Sequence, residues 1–97
     1  MNIQALMKQA QSLQKDMMKA KEEIDNTLFT GSNSFVTVKV NGKKEVLDIK
    51  IDTDSVDKDD IEMLQDILMV ALNNAFSEVD KVTEQKMSKY ANIPGLF

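Results

Sequence analysis

The chain has no cysteine, no histidine and no tryptophan, and its twelve cationic residues are all lysine. The first two absences remove disulfides, thiolate or imidazole zinc sites, thiol nucleophiles and every triad in which histidine is the base. The missing arginine removes the side chain best suited to bidentate contact with guanine edges. The longest uncharged run, residues 26–38, has thirteen residues and the more apolar run at 67–77 has eleven, both short of the roughly 20 that a membrane-spanning helix requires. No basic flank followed by an apolar block opens the chain, so a signal segment is not expected. These absences predict a cytoplasmic protein with no membrane partner, no metal or other cofactor, no small-molecule substrate and no catalytic residues, and so not an enzyme.

With 97 residues the chain is expected to form one domain, residues 1–97, burying only about 60 to 65% of its unfolded surface. Such a small core gains from pairing with a second copy. Net charge is −4, yet the charge is unevenly placed. Residues 52–66 carry seven acids against Lys58, a balance of −6, and the remaining segments sum to +2. Screening beyond about 10 Å at 0.1 M salt lets a basic patch elsewhere act locally.

What is present is dominated by the first two dozen residues. Ile3, Leu6, Ala10, Leu13, Met17, Ala20 and Ile24 recur at alternating steps of three and four, a heptad seam that predicts a helix from about Asn2 to Asp25 with Asn2 as its N-cap. Opposite the seam stand Gln4, Lys8, Gln11, Ser12, Lys15 and Lys19, with no acid until Asp16 on one flank. Next, residues 35–40 and 46–51 alternate with period two and predict strands joined near Asn41-Gly42, a pair suited to positive φ in a tight hairpin, with Lys43 to Glu45 able to lengthen the loop. Val36, Val38 and Val40 share one face, as do Leu47, Ile49 and Ile51. A short strand near residues 28–30, ended by Gly31, completes a three-stranded antiparallel sheet. After an acidic connection, a second helix is expected from about Asp59 to Tyr90, with a seam of Ile61, Leu64, Leu68, Ala71, Ala75, Val79 and Val82 and a second strip at Ile67, Val70 and Phe76. The fold class is therefore α+β, in the order α-β-β-β-α. A helix of about 30 residues is about 45 Å long and a six-residue strand about 20 Å, so one sheet cannot cover both helices. A dimer with projecting helical arms resolves the mismatch. Its core or dimer seam is expected at Ile3, Leu6, Leu13, Met17, Ile24, Leu68 and Val79.

The segment Asp52-Thr53-Asp54-Ser55-Val56-Asp57 begins like a calcium loop but offers Val56 at the fifth position, no glycine at the sixth and Met63 where a bidentate glutamate belongs. Its carboxylates are expected to cap turns and the helix that follows. Among seven methionines, Met7 and Met17 fit core packing, while Met18 and Met63 lie off the seams, where an adaptable apolar contact is possible. Lys8, Lys15 and Lys19, at spacings of seven and four, line one helix face. A solvated surface explains such a face, but so does a track of cations along phosphates, which binds by counterion release without reading bases. Lys43 and Lys44 at the hairpin and Lys81, Lys86 and Lys89 late in the second helix are further candidates.

Three stretches in order resemble the YbaB/EbfC family of small bacterial nucleoid-associated proteins: Leu6-Met7-Lys8-Gln9-Ala10-Gln11, the hairpin from Val36 to Gly42 leading to Ile49-Lys50-Ile51-Asp52, and the ending Pro94-Gly95-Leu96-Phe97. Ala71-Leu72-Asn73-Asn74-Ala75 and Lys86-Met87 extend the likeness over nearly the whole chain. The resemblance implies a helix, three strands and a long helix, two copies joined through their sheets with helices projecting like tweezers, and binding of double-stranded DNA in the nucleoid. By resemblance the DNA contacts fall on Lys8, Lys15 and Lys19 of the first helix and Lys86 and Lys89 of the second. The expected function is a homodimer that binds duplex DNA with low sequence specificity. About four Lys-phosphate contacts per dimer would give a log K against log salt slope near −3.6. The alternative is a helical clamp or adaptor that grips a protein partner.

Overall fold

The computed structural model describes residues 2–90. Helix α1 runs Ile3–Asp25, followed by strands β1 (Phe29–Asn33), β2 (Val36–Val40) and β3 (Val46–Ile51), a 3-10 turn at Thr53–Ser55, helix α2 (Ile61–Met87) and a final 3-10 turn at Ser88–Tyr90. This is the expected α-β-β-β-α order. The ending Pro94-Gly95-Leu96-Phe97 lies outside the described residues.

Short polar side chains place the helix starts. The Asn2 side chain accepts from the backbone N–H groups of Gln4 at 3.0 Å and Ala5 at 3.4 Å. Asp60 likewise accepts from the Met63 N–H at 3.1 Å, which starts α2 two residues later than the sequence pattern suggested. Upstream, Asp52 accepts from the Asp54 N–H and the Ser55 hydroxyl, and Asp57 from the Asp59 N–H. Three carboxylates of the acidic segment thus satisfy backbone donors that would otherwise lack partners.

The sheet has the order β1-β2-β3, antiparallel throughout. Side chains directly opposite across a ladder share a face, so Phe29, Gly31 and Asn33 align with Val40, Val38 and Val36. Val36, Val38 and Val40 are fully buried, and Ala71, Ala75 and Val79 of α2 close the core above them. The opposite face is polar, carrying Thr30, Ser32, Thr37, Lys39, Asp48 and Lys50.

Two glycines take roles different from those the sequence suggested. Gly31 does not end β1; it sits in mid-strand, and a Cβ there would lie 2.2 Å from the Ala75 nitrogen and 2.5 Å from the Ala71 oxygen. The glycine therefore lets helix and sheet backbones touch, with two alanines supplying the complementary flatness. The turn between β1 and β2 is the pair Ser34-Phe35, which moves Phe35 out of the expected strand; Ser34 has φ 53°. In the second hairpin the left-handed residue is Lys44, φ 62°, and not Gly42. Asn41 organises that loop by accepting from the N–H groups of Lys43 and Glu45 and donating to the Glu45 carboxylate. A Cβ on Gly42 would meet the Ile24 carbonyl oxygen at 2.0 Å.

A helix about 10 Å wide covers about two strands spaced 4.7 to 4.9 Å apart. Accordingly α2 lies over β1 and β2 and leaves β3 open, with Val46, Leu47 and Ile49 exposed at 44%, 56% and 44%. Ile49 and Ile51 pair with Val38 and Val36, so they continue the apolar face past the edge of the helix. Met69 and Val70 of α2 and Ile61 at its start are also exposed.

The molecule measures 71 × 19 × 13 Å with a radius of gyration of 19.5 Å, against about 12.5 Å for a compact chain of this length. Helix α1 accounts for the difference. Of its 23 residues only Ile24 is buried. Leu13, Met17 and Ala20 are half-buried, and Ile3 and Leu6 of the expected seam stand in solvent at 70% and 47% exposure. The seam is packed near the sheet and bare toward the tip, because α2 supplies a surface only along its C-terminal portion.

Candidate nucleic-acid interface

An α-helix turns about 100° per residue, so Lys8, Lys15 and Lys19 fall within about 40° of one another. All three are exposed. They lie on the side of α1 opposite Met17 and Ile24, the residues that face the cavity between α1 and α2 together with Lys21, Asp25, Gly42, Thr83 and Met87. Their ammonium groups therefore point away from the body of the protein. Among the described residues the one ion pair joins Lys44 and Asp80 at 2.8 Å, so none of the three stripe lysines is ion-paired there; Glu22 lies beside Lys15 and Lys19 at the lower end of the stripe.

The axial distribution of charge in α1 runs against helix stability. Its first turn has no acid and its last turn no base, while Glu22, Glu23 and Asp25 crowd the C-terminal end. Acids near an N-terminus and bases near a C-terminus would each contribute about 0.3 to 1 kcal/mol through the helix dipole. With Lys8 and Lys15 and no acid before Asp16, the outer half of the arm is its more positive part.

Lys86 and Lys89 belong to a different surface. Both are exposed, Lys86 in the last turn of α2 and Lys89 in the 3-10 turn that follows, with the Lys89 Nζ 5.1 Å from the centroid of the buried Tyr90 ring. Met87, next to Lys86, faces the same cavity as Met17 and Lys21, which puts these two lysines at the base of the arm. The structure thus divides the five sequence candidates into an outward stripe of three and a basal pair. Of the expected seam residues, Ile24 and Val79 are buried and Leu13, Met17 and Leu68 are half-buried.

Two features of this region were not legible as functional in the sequence. One is Gly42, whose contact with the last turn of α1 is tertiary. The other is the open β3 surface; its signal was present in the width of a single helix against three strands. Among the described residues no three acidic, cysteine or histidine side chains gather as a metal site, and no helix is long and apolar enough to cross a membrane.

Comparison with known proteins agrees with this architecture. A nucleoid-associated protein of Ligilactobacillus salivarius (strain UCC118) is 46% identical over 99 residues, covering 99% of this chain and 95% of the relative. One from Clostridium novyi (strain NT) is 47% identical over 102 residues, covering 100% and 90%. The crystal structure of an uncharacterised Helicobacter pylori protein superposes with a TM-score of 0.75 at 25% identity, covering 93% of this chain and 97% of that one. The model of the YbaB/EbfC DNA-binding family matches residues 1–93. An exposed lysine stripe on a projecting helix, a one-helix, three-strand body and these matches agree: the chain belongs to the YbaB/EbfC DNA-binding family.

Proposed function

We propose that this protein is a homodimer that binds duplex DNA in the bacterial nucleoid with little sequence preference, holding phosphates with Lys8, Lys15 and Lys19 on its arms and Lys86 and Lys89 at their base. The observation that carries this reading is the lysine stripe, exposed, unpaired among the described residues and set on the part of the molecule that extends beyond the body. The family to which the chain belongs is one of DNA-binding proteins and not of enzymes. Lysine offers a mobile point charge and no planar fork, so it grips phosphates and discriminates poorly among base edges. Energy of this kind comes from released counterions and is lost steeply as salt rises.

Dimerisation supports the same reading. Val46, Leu47 and Ile49 leave an apolar stretch of β3 in water in the single chain, and surfaces of this kind mark interfaces. A second copy applied there covers it and brings two arms into one particle, doubling the cations available to a single duplex. The acidic connection between β3 and α2 then sets which side of the particle DNA avoids.

The test is fluorescence anisotropy of a labelled duplex of about 30 base pairs, titrated with nuclease-treated protein at several salt concentrations. Salt-sensitive binding that disappears when Lys8, Lys15 and Lys19 are together changed to Glu, in a variant that remains folded and dimeric, supports the proposal. Binding that is flat with salt overturns the mechanism. Exposed Met7 and Met18 on the arm favour a second reading, capture of a protein partner, and a pull-down that retains its partners after nuclease treatment would establish it.

A further inference from the structure

Gly42 stands in a turn where its conformational freedom is not used. The backbone of this loop enters the left-handed region at Lys44, and Gly42 itself adopts no such angle. What the missing side chain permits is contact with α1: a Cβ would fall 2.0 Å from the Ile24 oxygen, 2.5 Å from its carbonyl carbon and 2.8 Å from the Asp25 nitrogen. All three are backbone atoms, which cannot rotate aside as a side chain does. Ile24 is also the one buried residue of the whole helix. Its carbonyl accepts from the Thr27 N–H at 3.0 Å, so this point is tied to the chain entering β1 as well.

We infer that Gly42 is a positioning residue for DNA binding: it seats the last turn of α1 and thereby sets the angle at which the lysine-bearing arm leaves the body. The arm meets the body at two levels, at Ile24 against Gly42 and again where Met17 and Lys21 face Thr83 and Met87. These levels are seven residues apart, about 10 Å along the axis, and Ile3 lies about 21 Å beyond the upper one. The arm is a lever with its fulcrum near Met17. Moving the Ile24 carbonyl far enough for a Cβ to reach ordinary contact requires a shift of about 1 to 1.4 Å. At the arm tip the same rotation appears as about 2 to 3 Å in the opposite direction. In a dimer, the separation of the two tips changes by up to about twice that.

The inference rests on the proposal that the arms carry the DNA contacts, so its test separates arm geometry from binding. The chain has no cysteine, which allows spin labels at two introduced positions, Ala5→Cys near the tip and Glu62→Cys at the start of α2, with doubly labelled chains diluted into unlabelled protein. The label distance, measured without DNA, is expected to shift on Gly42→Ala and to shift further on Gly42→Val, while circular dichroism stays that of the parent. Duplex affinity is expected to fall about eightfold or more, the equivalent of one misplaced phosphate contact. A folded Gly42→Ala variant with the parental distance overturns the inference. A shifted distance with unchanged affinity upholds the lever and overturns the DNA reading of the arms. Should Gly42→Ala fail to fold, Met17→Ala removes the fulcrum instead; it is expected to broaden the distance distribution, and an unbroadened distribution overturns the inference.

Discussion

Replacing Lys15 with Gln removes one cation from the middle of the arm stripe and leaves helix propensity almost unchanged. From Lys8 to Lys19 the stripe spans about 16 to 17 Å of helix axis. Phosphates of one strand recur every 3.4 Å of duplex axis, so in the proposed complex each lysine has a phosphate of its own within reach. A dimer loses two contacts, one per arm, and the slope of log K against log salt should become less steep by about 1.8, from about 0.9 per phosphate. Counted from 1 M, where the counterion contribution vanishes, affinity at 0.1 M should fall about 60-fold, or about 2.5 kcal/mol. Lys58→Gln supplies the control, since it changes net charge equally but sits in the acidic connection, away from the arm. The assay is duplex anisotropy from 50 to 300 mM salt for the parent and both variants. An unchanged slope for Lys15→Gln, or an equal loss for Lys58→Gln, would refute the reasoning, because it would trace binding to overall charge and not to contacts on α1.

Gly31→Ala should destabilise the fold by about 3 kcal/mol or more, at the upper end of overpacking costs, because its Cβ meets only helix backbone; denaturant unfolding reads this directly, and a loss below about 1 kcal/mol would contradict the close contact. Ser34→Gly should stabilise by about 1 kcal/mol, since the first position of this two-residue turn holds a positive φ that glycine adopts without steric cost; a lowered melting temperature would count against it. Ile49→Asp should leave the monomer folded and shift sedimentation toward monomers, and a persisting dimer would place the interface elsewhere. Asn2→Ala should cost about 0.5 to 2 kcal/mol by freeing the Gln4 and Ala5 N–H groups, seen as faster hydrogen exchange in the first turn of α1.

The elements whose partners lie within their own periodicity were legible in the sequence. Three valines at alternate positions gave β2 its buried face, and the seam of α2 became the core at Ala71, Ala75 and Val79. Errors arose where a residue answers to something distant in the chain. Gly31 reads locally as a stop but is required by a helix 40 residues later, and Gly42 reads as a turn residue but yields space to Ile24. The α1 seam was visible as a pattern, yet periodicity alone does not tell how far a partner surface extends, and Ile3 and Leu6 lie beyond its end. Charge needed the fold as well. Lysines at spacings of seven and four were visible at once, whereas their separation from Lys86 and Lys89 depends on how two helices meet.

The two edges of the sheet are unlike. At β1, the Asn74 side chain of α2 donates to the Ser32 carbonyl at 3.1 Å, and Ser77 and Glu78 flank the same cleft along Leu28 to Ser32. At β3 no helix intervenes. A strand added to the first side would have to displace a bond already made, while the second is ready to receive one. A building block with two receptive sides stacks without limit into a fibre; one with a single receptive side is exhausted once it has met its own copy. In the proposed dimer growth would stop at the pair, and copies spread along DNA would not polymerise on one another.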